Sequence, residues 1–215
     1  MFRLENRRRL ARLLLCSHET FNAMDTATKE KQQKKSQPAD RRYARSIDLL
    51  NDATGKEIAT SLQYIYFHTH FEDARYRYLS RIMRETSIAE MQHIEELADR
   101  ILYLEGDVDM NPQFRTRQVS DPAEALQFAI ELEQSTIDAY NKASRLASEY
   151  GDAVTHKMFQ NLIVDEEHHL DTFRTELQNL KDYGAEYLAL QSVAGSKEAA
   201  KELNRTRHRR EQSGN

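Results

Sequence analysis

A single cysteine, Cys16, stands among 215 residues. It leaves no partner for an internal disulfide and no CxxC pair for a metal or redox site, which suits a reducing, cytoplasmic setting. Three prolines and six glycines interrupt the chain rarely, so long helices are permitted almost throughout. No apolar run is long enough to cross a membrane, and no membrane partner is expected. Leu13-Leu14-Leu15-Cys16 follows basic residues in the order of a lipoprotein signal. Arg12 interrupts that short run, however, and Leu15 is too bulky for the small residue that precedes a lipidated cysteine. Residues 1–23 read instead as an extension upstream of Met24.

What is present is charge: 31% of residues are Asp, Glu, Lys or Arg, against 39% hydrophobic. That balance suits helices with one wet face. The charge is unevenly placed. Residues 1–46 hold twelve Lys/Arg against five Asp/Glu and residues 196–215 hold six against three, so the middle is far more acidic than the whole-chain −4. An acidic body attracts cations, and basic ends attract polyanions. Residues 1–45, polar and interrupted by Pro38, read as a disordered basic arm. A helical body follows over 46–192, and 193–215 reads as a charged, flexible tail.

Helical spacing defines four long elements. Leu50, Ala53, Glu57, Ser61, Tyr64 and Phe71 place the first at about 46–73. Leu79, Met83, Glu90, His93, Leu97 and Ile101 carry the second to Gly106, expected as its C′ residue. Residues 107–119 have no period and are long enough to cross a bundle end to end. Ser120-Asp121-Pro122 then supplies a cap and a first-turn proline. The third helix runs through Leu126, Ile130, Glu133, Ile137 and Tyr140 to Gly151. The fourth runs through Phe159, Leu162, Glu166, His169, Phe173 and Leu177 to Gly184, with a short fifth helix at 185–192. Two short connections and one long one predict an all-α four-helix bundle with a single crossover between helices two and three.

The second and fourth helices each carry Glu-x-x-His, Glu90-x-x-His93 and Glu166-x-x-His169. Residues three apart share a helix face, and here that face is otherwise apolar. The first and third helices each place one glutamate in a core slot, Glu57 and Glu133. Four uncompensated carboxylates in a core would cost several kcal/mol each. They must take up protons or bind cations, and four carboxylates with two imidazoles suit two ions of iron or manganese. The bland alternative is a polar core network of protonated glutamates and neutral histidines. Glu131 competes with Glu133, but two residues turn the helix by roughly 200°, so only one of them faces inward. Tyr64, beside the cluster, points to redox chemistry with a small oxidant.

Carrying these residues, the chain resembles the bacterioferritins from about Leu49 to Leu190. The segments are LNDATGKEIATSLQY (50–64), SIAEMQHIEELADRILYLEG (87–106), FAIELEQSTIDAY (128–140) and DEEHHLDTFRTEL (165–177). Ligand separations of thirty-three, forty-three and thirty-three residues, with Glu133 chosen, are similar to that family's pattern. The resemblance implies a ferroxidase centre that oxidises Fe(II) with dioxygen or hydrogen peroxide. In it Glu57 and His93 hold one iron, Glu133 and His169 the other, and Glu90 and Glu166 bridge the two. It also implies iron storage inside a homo-oligomeric shell, commonly of twenty-four subunits and in some relatives of twelve. Met91 aligns with the methionine that ligates haem b between bacterioferritin subunits, and equally reads as a packing residue. Departures from the pattern are Glu85 and Ala89, where some relatives bind iron on the inner surface, and His168 beside the second motif.

Three other functions compete. A rubrerythrin-like peroxidase normally carries a four-cysteine iron domain, which this chain cannot supply. A manganese catalase would use the same helices with a different metal. A DNA-associating protective shell would use the basic segments Lys29–Arg45 and Arg205–Arg210 to bind phosphates, whose bland reading is solubilising ends.

Overall fold

The computed structural model describes residues 43–213, with side chains described as far as Gly195 and again at Arg205. The described residues form four helices and no strands: α1 Ala44–Asp73, α2 Arg77–Tyr103, α3 Pro122–Glu149 and α4 Ala153–Ser213. The first forty-two residues of the expected basic arm lie outside the described residues. Its last residues, Ala44 and Arg45, already belong to α1. The DNA-binding reading rested chiefly on that undescribed segment and on side chains at 206–210 that are likewise outside the description.

Helices α1, α2 and α3 end in the same way, with a left-handed residue after the last turn. Arg75 (φ 65°), Glu105 (φ 60°) and Gly151 (φ 74°) occupy that position. The next amide reaches back to the third-last helical carbonyl in each case: Tyr76 to Phe71, Gly106 to Ile101 and Asp152 to Ala147. The C′ residue after α2 is therefore Glu105 and not Gly106 as expected. Gly106 serves close packing instead, since a Cβ there would meet Ile47 Cγ2 at 2.9 Å. At the start of α3 the expectation holds, because Asp121 caps the helix by accepting from the Glu124 amide at 2.9 Å.

α1 packs chiefly on α2 and α3 on α4, while α2–α4 and α1–α3 contacts close the bundle. The long connection between α2 and α3 runs along α1. The Asn51 side chain donates to the Asp107 carbonyl at 3.0 Å and accepts from the Asp109 amide at 2.9 Å. Further along, the Gln113 amide donates to the Gly55 carbonyl at 2.8 Å. The buried Gln63 side chain then pairs with both backbone groups of Arg117, at 3.0 and 2.7 Å. Contacts advancing from Asn51 to Gln63 show a crossover that travels the bundle's length.

This contact explains a glycine inside α1, which costs about 1 kcal/mol against alanine. A Cβ on Gly55 would lie 2.9 Å from the Asn111 carbonyl oxygen. Gly55→Ala should therefore lower unfolding free energy by about 1–3 kcal/mol despite its better helix propensity. Urea denaturation of the variant checks this.

The expected short fifth helix does not stand as an element of its own. α4 is helical from Ala153 to Ser213 apart from Gly184, whose φ of 62° and ψ of −152° belong to glycine-only territory. The chain turns there, and Tyr187 donates to Glu176 at 2.8 Å across the turn. Leu188 joins the apolar cluster of Phe71, Leu79 and Leu177 at that end of the bundle. The sequence pointed to a flexible tail from residue 193, but the helical backbone continues to Ser213. Its residues (Ala, Glu, Lys, Leu and Arg, with no proline) favour that conformation.

Candidate metal centre

The bundle core is apolar at its two ends and polar across the middle. Phe67, Phe71, Met83, Leu126 and Phe173 fill one end, and Leu50, Leu97, Ile101, Ala147 and Phe159 are buried towards the other. Between them lie Glu57, Glu90, Glu133 and Glu166, none more than 1% exposed. His93 and His169 join them, one from each Glu-x-x-His helix. The six side chains form two sets that share two members. Glu57, Glu90, His93 and Glu166 are one, and Glu90, Glu133, Glu166 and His169 the other, with the ligand atoms in each set within 4.8 Å of one another.

Each imidazole presents Nδ1 to the cluster. His93 Nδ1 lies 3.0 Å from Glu90 Oε2, 3.2 Å from Glu166 Oε1 and 3.8 Å from Glu57 Oε2. His169 Nδ1 lies 3.2 Å from Glu90 Oε1 and 3.3 Å from Glu166 Oε2. One Nδ1 proton satisfies one oxygen, and each is directed at the glutamate of its own helix. Glu90 Oε1, Glu133 Oε2 and Glu166 Oε1 are consequently buried with no hydrogen bond. Orphaned carboxylate oxygens converging with two imidazoles are the donor set a pair of divalent ions needs.

The remaining glutamate oxygens are held by phenols. Tyr64 donates to Glu133 Oε1, and Tyr140 donates to Glu57 Oε1. Tyr64 was expected beside the cluster; Tyr140 was read only as a packing position. The missed signal is a repeat. Glu57, Tyr64, Glu90 and His93 recur as Glu133, Tyr140, Glu166 and His169, every pair separated by seventy-six residues. Lys56 was missed as well. It is nearly buried, and its Nζ donates to Ser135 Oγ at 2.7 Å. Burial pulls its pKa down, against the charges of Glu57, Glu133 and Glu166.

Electrostatics divides the carboxylates in two. Burial, together with the charges of Glu166 and Glu90, holds Glu57 well above the ordinary range, and the same causes raise Glu133. Burial would also raise Glu166, but His169 and His93 prevail and bring it down to about 2. Glu90 is likewise lowered by the two imidazoles against its burial. Burial would lower both histidines; hydrogen bonding to Glu166, Glu57 and Glu90 holds His93 far above its usual value. Contacts with Glu166 and Glu90 push His169 up to about 9. Without metal, the centre is thus two imidazolium–carboxylate pairs flanked by two neutral acids.

Other expected residues fall outside the cluster. Glu131 is exposed, as its rotation from Glu133 requires. His168 is also exposed, and Glu85 forms only a surface pair with Arg81. Met91 is 43% exposed, with the apolar residues Leu62, Ile65 and Ile88 of α1 and α2 also partly exposed. No described helix is long and apolar enough to cross a membrane.

The ferritin-like domain family matches residues 47–183, which span all four ligand-bearing helices. The bacterioferritin of Rhodobacter capsulatus is 31% identical over 151 residues, covering 70% of this chain and 94% of that protein. The bacterioferritin of Brucella melitensis is 30% identical over 153 residues, covering 71% and 95%. The solved structure of Desulfovibrio desulfuricans bacterioferritin, described with its diiron site in different catalytic states, superposes with a TM-score of 0.69. It is 29% identical and is covered to 88%, against 70% of this chain. Fold, donor set and relatives agree: the chain belongs to the bacterioferritin family of ferritin-like proteins.

Proposed function

We propose that this protein is a cytoplasmic iron-storage ferroxidase, which oxidises Fe(II) with dioxygen or hydrogen peroxide and stores the ferric product in a homo-oligomeric shell. The observation that carries this reading is the pair of overlapping buried ligand sets, with three carboxylate oxygens left without hydrogen bonds. Glu57 and His93 would hold one ion, Glu133 and His169 the other, and Glu90 and Glu166 would bridge. Two bound Fe(II) supply two electrons to the oxidant. The chain supplies the rest of what the chemistry needs. Phe67, Phe173 and Phe159 keep bulk water out, which strengthens every charge interaction inside. Tyr64 and Tyr140 fix the rotamers of Glu133 and Glu57, so the outer carboxylates are already aimed when metal arrives. The acidic body draws Fe(II) towards the protein.

Anaerobic addition of Fe(II) followed by air should give a fast oxidation phase, with about two ions bound per subunit by native mass. Glu133→Ala and His93→Ala should each remove that phase. Equal rates in wild type and variants would leave only uncatalysed oxidation. Protein isolated with manganese and no iron, and active in peroxide disproportionation, would favour the catalase reading.

The shell and haem b enter through the outer surface of α1 and α2. Leu62, Ile65, Ile88 and Met91 are partly exposed apolar residues on these two helices, the kind of surface a second copy buries. A thioether from each copy provides axial ligands for haem b at such a contact. Protein produced with haem supplied should show a Soret band that Met91→Leu removes. A band unchanged in that variant assigns the ligand elsewhere. Size-exclusion chromatography with light scattering should return a mass near twenty-four chains, or twelve in the smaller shell.

A further inference from the structure

Tyr140 is the polar contact of the centre that neither the ligand set nor the sequence expectations use. Its hydroxyl donates to Glu57 just as that of Tyr64 donates to Glu133. Each phenol thus reaches across from one half of the repeat to the unshared glutamate of the other. Both are essentially buried. Their surroundings differ. The Tyr64 ring is enclosed by Phe67 and Phe173, with centroids 6.4 and 5.4 Å away. Tyr140 packs on Phe159 at 5.4 Å and also lines a cavity of about 250 Å³ with Lys56, Gln113 and Lys142.

Taking the proposed ferroxidase reading as its base, electron counting gives these phenols work beyond packing. Reducing dioxygen to water takes four electrons, and two Fe(II) provide only two. We infer that Tyr140 is redox-active and, paired with Tyr64, supplies the missing two electrons at the first turnover. Each phenol loses one electron and one proton and becomes a neutral phenoxyl radical. The proton leaves along the hydrogen bond to Glu57 or Glu133. The step balances: one dioxygen, two Fe(II), two tyrosines and two solvent protons give two waters, two Fe(III) and two phenoxyl radicals. Without the tyrosines, the same two Fe(II) take dioxygen only to hydrogen peroxide. The cavity makes Tyr140 the member of the pair open to repair by a small enediol or phenol, which returns one hydrogen atom to the oxygen.

The test uses full-length protein loaded anaerobically with Fe(II), mixed with dioxygen, freeze-quenched and read by electron paramagnetic resonance. Tyr140→Phe and Tyr64→Phe should each lose about half of the phenoxyl signal, and the double variant all of it, while released peroxide rises in the double variant. Zinc stoichiometry and melting temperature of each variant report whether the centre stays assembled. In metal-free protein, a flash-generated ruthenium(III) oxidant should produce a phenoxyl component that Tyr140→Phe lacks. Fast iron oxidation with full radical intensity in Tyr140→Phe would overturn this inference alone. A wild type with no fast oxidation would overturn the ferroxidase reading and this inference with it.

Discussion

Glu133→Gln and Glu166→Gln should behave as opposites in the metal-free protein, although both exchange a buried carboxylate for an amide of the same shape. Glu133 is held well above the ordinary carboxylate range by burial and by its charged neighbours, so at neutral pH it is already uncharged. An amide oxygen can still accept the Tyr64 hydroxyl that Glu133 now receives. Metal-free Glu133→Gln should therefore unfold within about 1 kcal/mol of wild type. Glu166 is an ionised carboxylate within 3.3 Å of both imidazoles. Removing its charge strands two buried imidazolium groups, which costs about 3 kcal/mol after they shed part of their protonation.

Metal binding reverses the emphasis between the two sets without sparing either variant. Glu166 belongs to both ligand sets and Glu133 to one. Glu166→Gln should weaken both ions on the order of 100-fold or more, whereas Glu133→Gln should leave the Glu57–His93 position able to bind one ion. Fast Fe(II) oxidation needs both ions and is lost in each. Chemical denaturation of metal-free protein, beside zinc titration by native mass, reads the two effects separately. If Glu166→Gln keeps wild-type stability and two-ion stoichiometry, the shared-carboxylate geometry has no functional meaning.

Much of this centre was legible because burying a charge needs a reason. Glutamates at Ile130–Glu133–Ile137 spacing, and histidines three residues after glutamates, announce themselves against an apolar period. The crossover was equally legible, since residues 107–119 lack any period and begin and end at strong helix signals. Tyr140 was hidden for the opposite reason. A tyrosine in a core slot is ordinary, and only its partner across the bundle, Glu57, gives it a role. Gly106 misled because glycine is the default left-handed residue. There, contact with Ile47 claimed the glycine, and Glu105 took the strained position one residue earlier. The course of the chain beyond Gly184 depends on tertiary contacts such as Tyr187 to Glu176, which no local pattern encodes.

Iron loading should release about four protons for each pair of ions, and the affinity should fall steeply as pH drops. In the metal-free centre His93 and His169 carry protons because Glu166 and Glu90 stabilise them, and Glu57 and Glu133 carry protons because burial disfavours their charge. Two divalent ions bound by four carboxylates and two neutral imidazoles leave the same net charge as those four protons did. Loading is therefore an exchange, and the direction follows. Below neutrality all four protons must be displaced, so the overall two-ion constant falls by about four powers of ten per pH unit. His169 fixes the upper edge. Its raised value stabilises the metal-free fold fully below its unfolded pKa of about 6.5, and that contribution disappears as pH rises through about 9. Above that point one fewer proton is displaced and the slope becomes shallower. Zinc titrations in buffers of different ionisation enthalpy measure the count directly without redox chemistry. A release near zero between pH 6 and 8 would mean that the acids are ionised and the imidazoles neutral before metal arrives, and the exchange account would then be wrong.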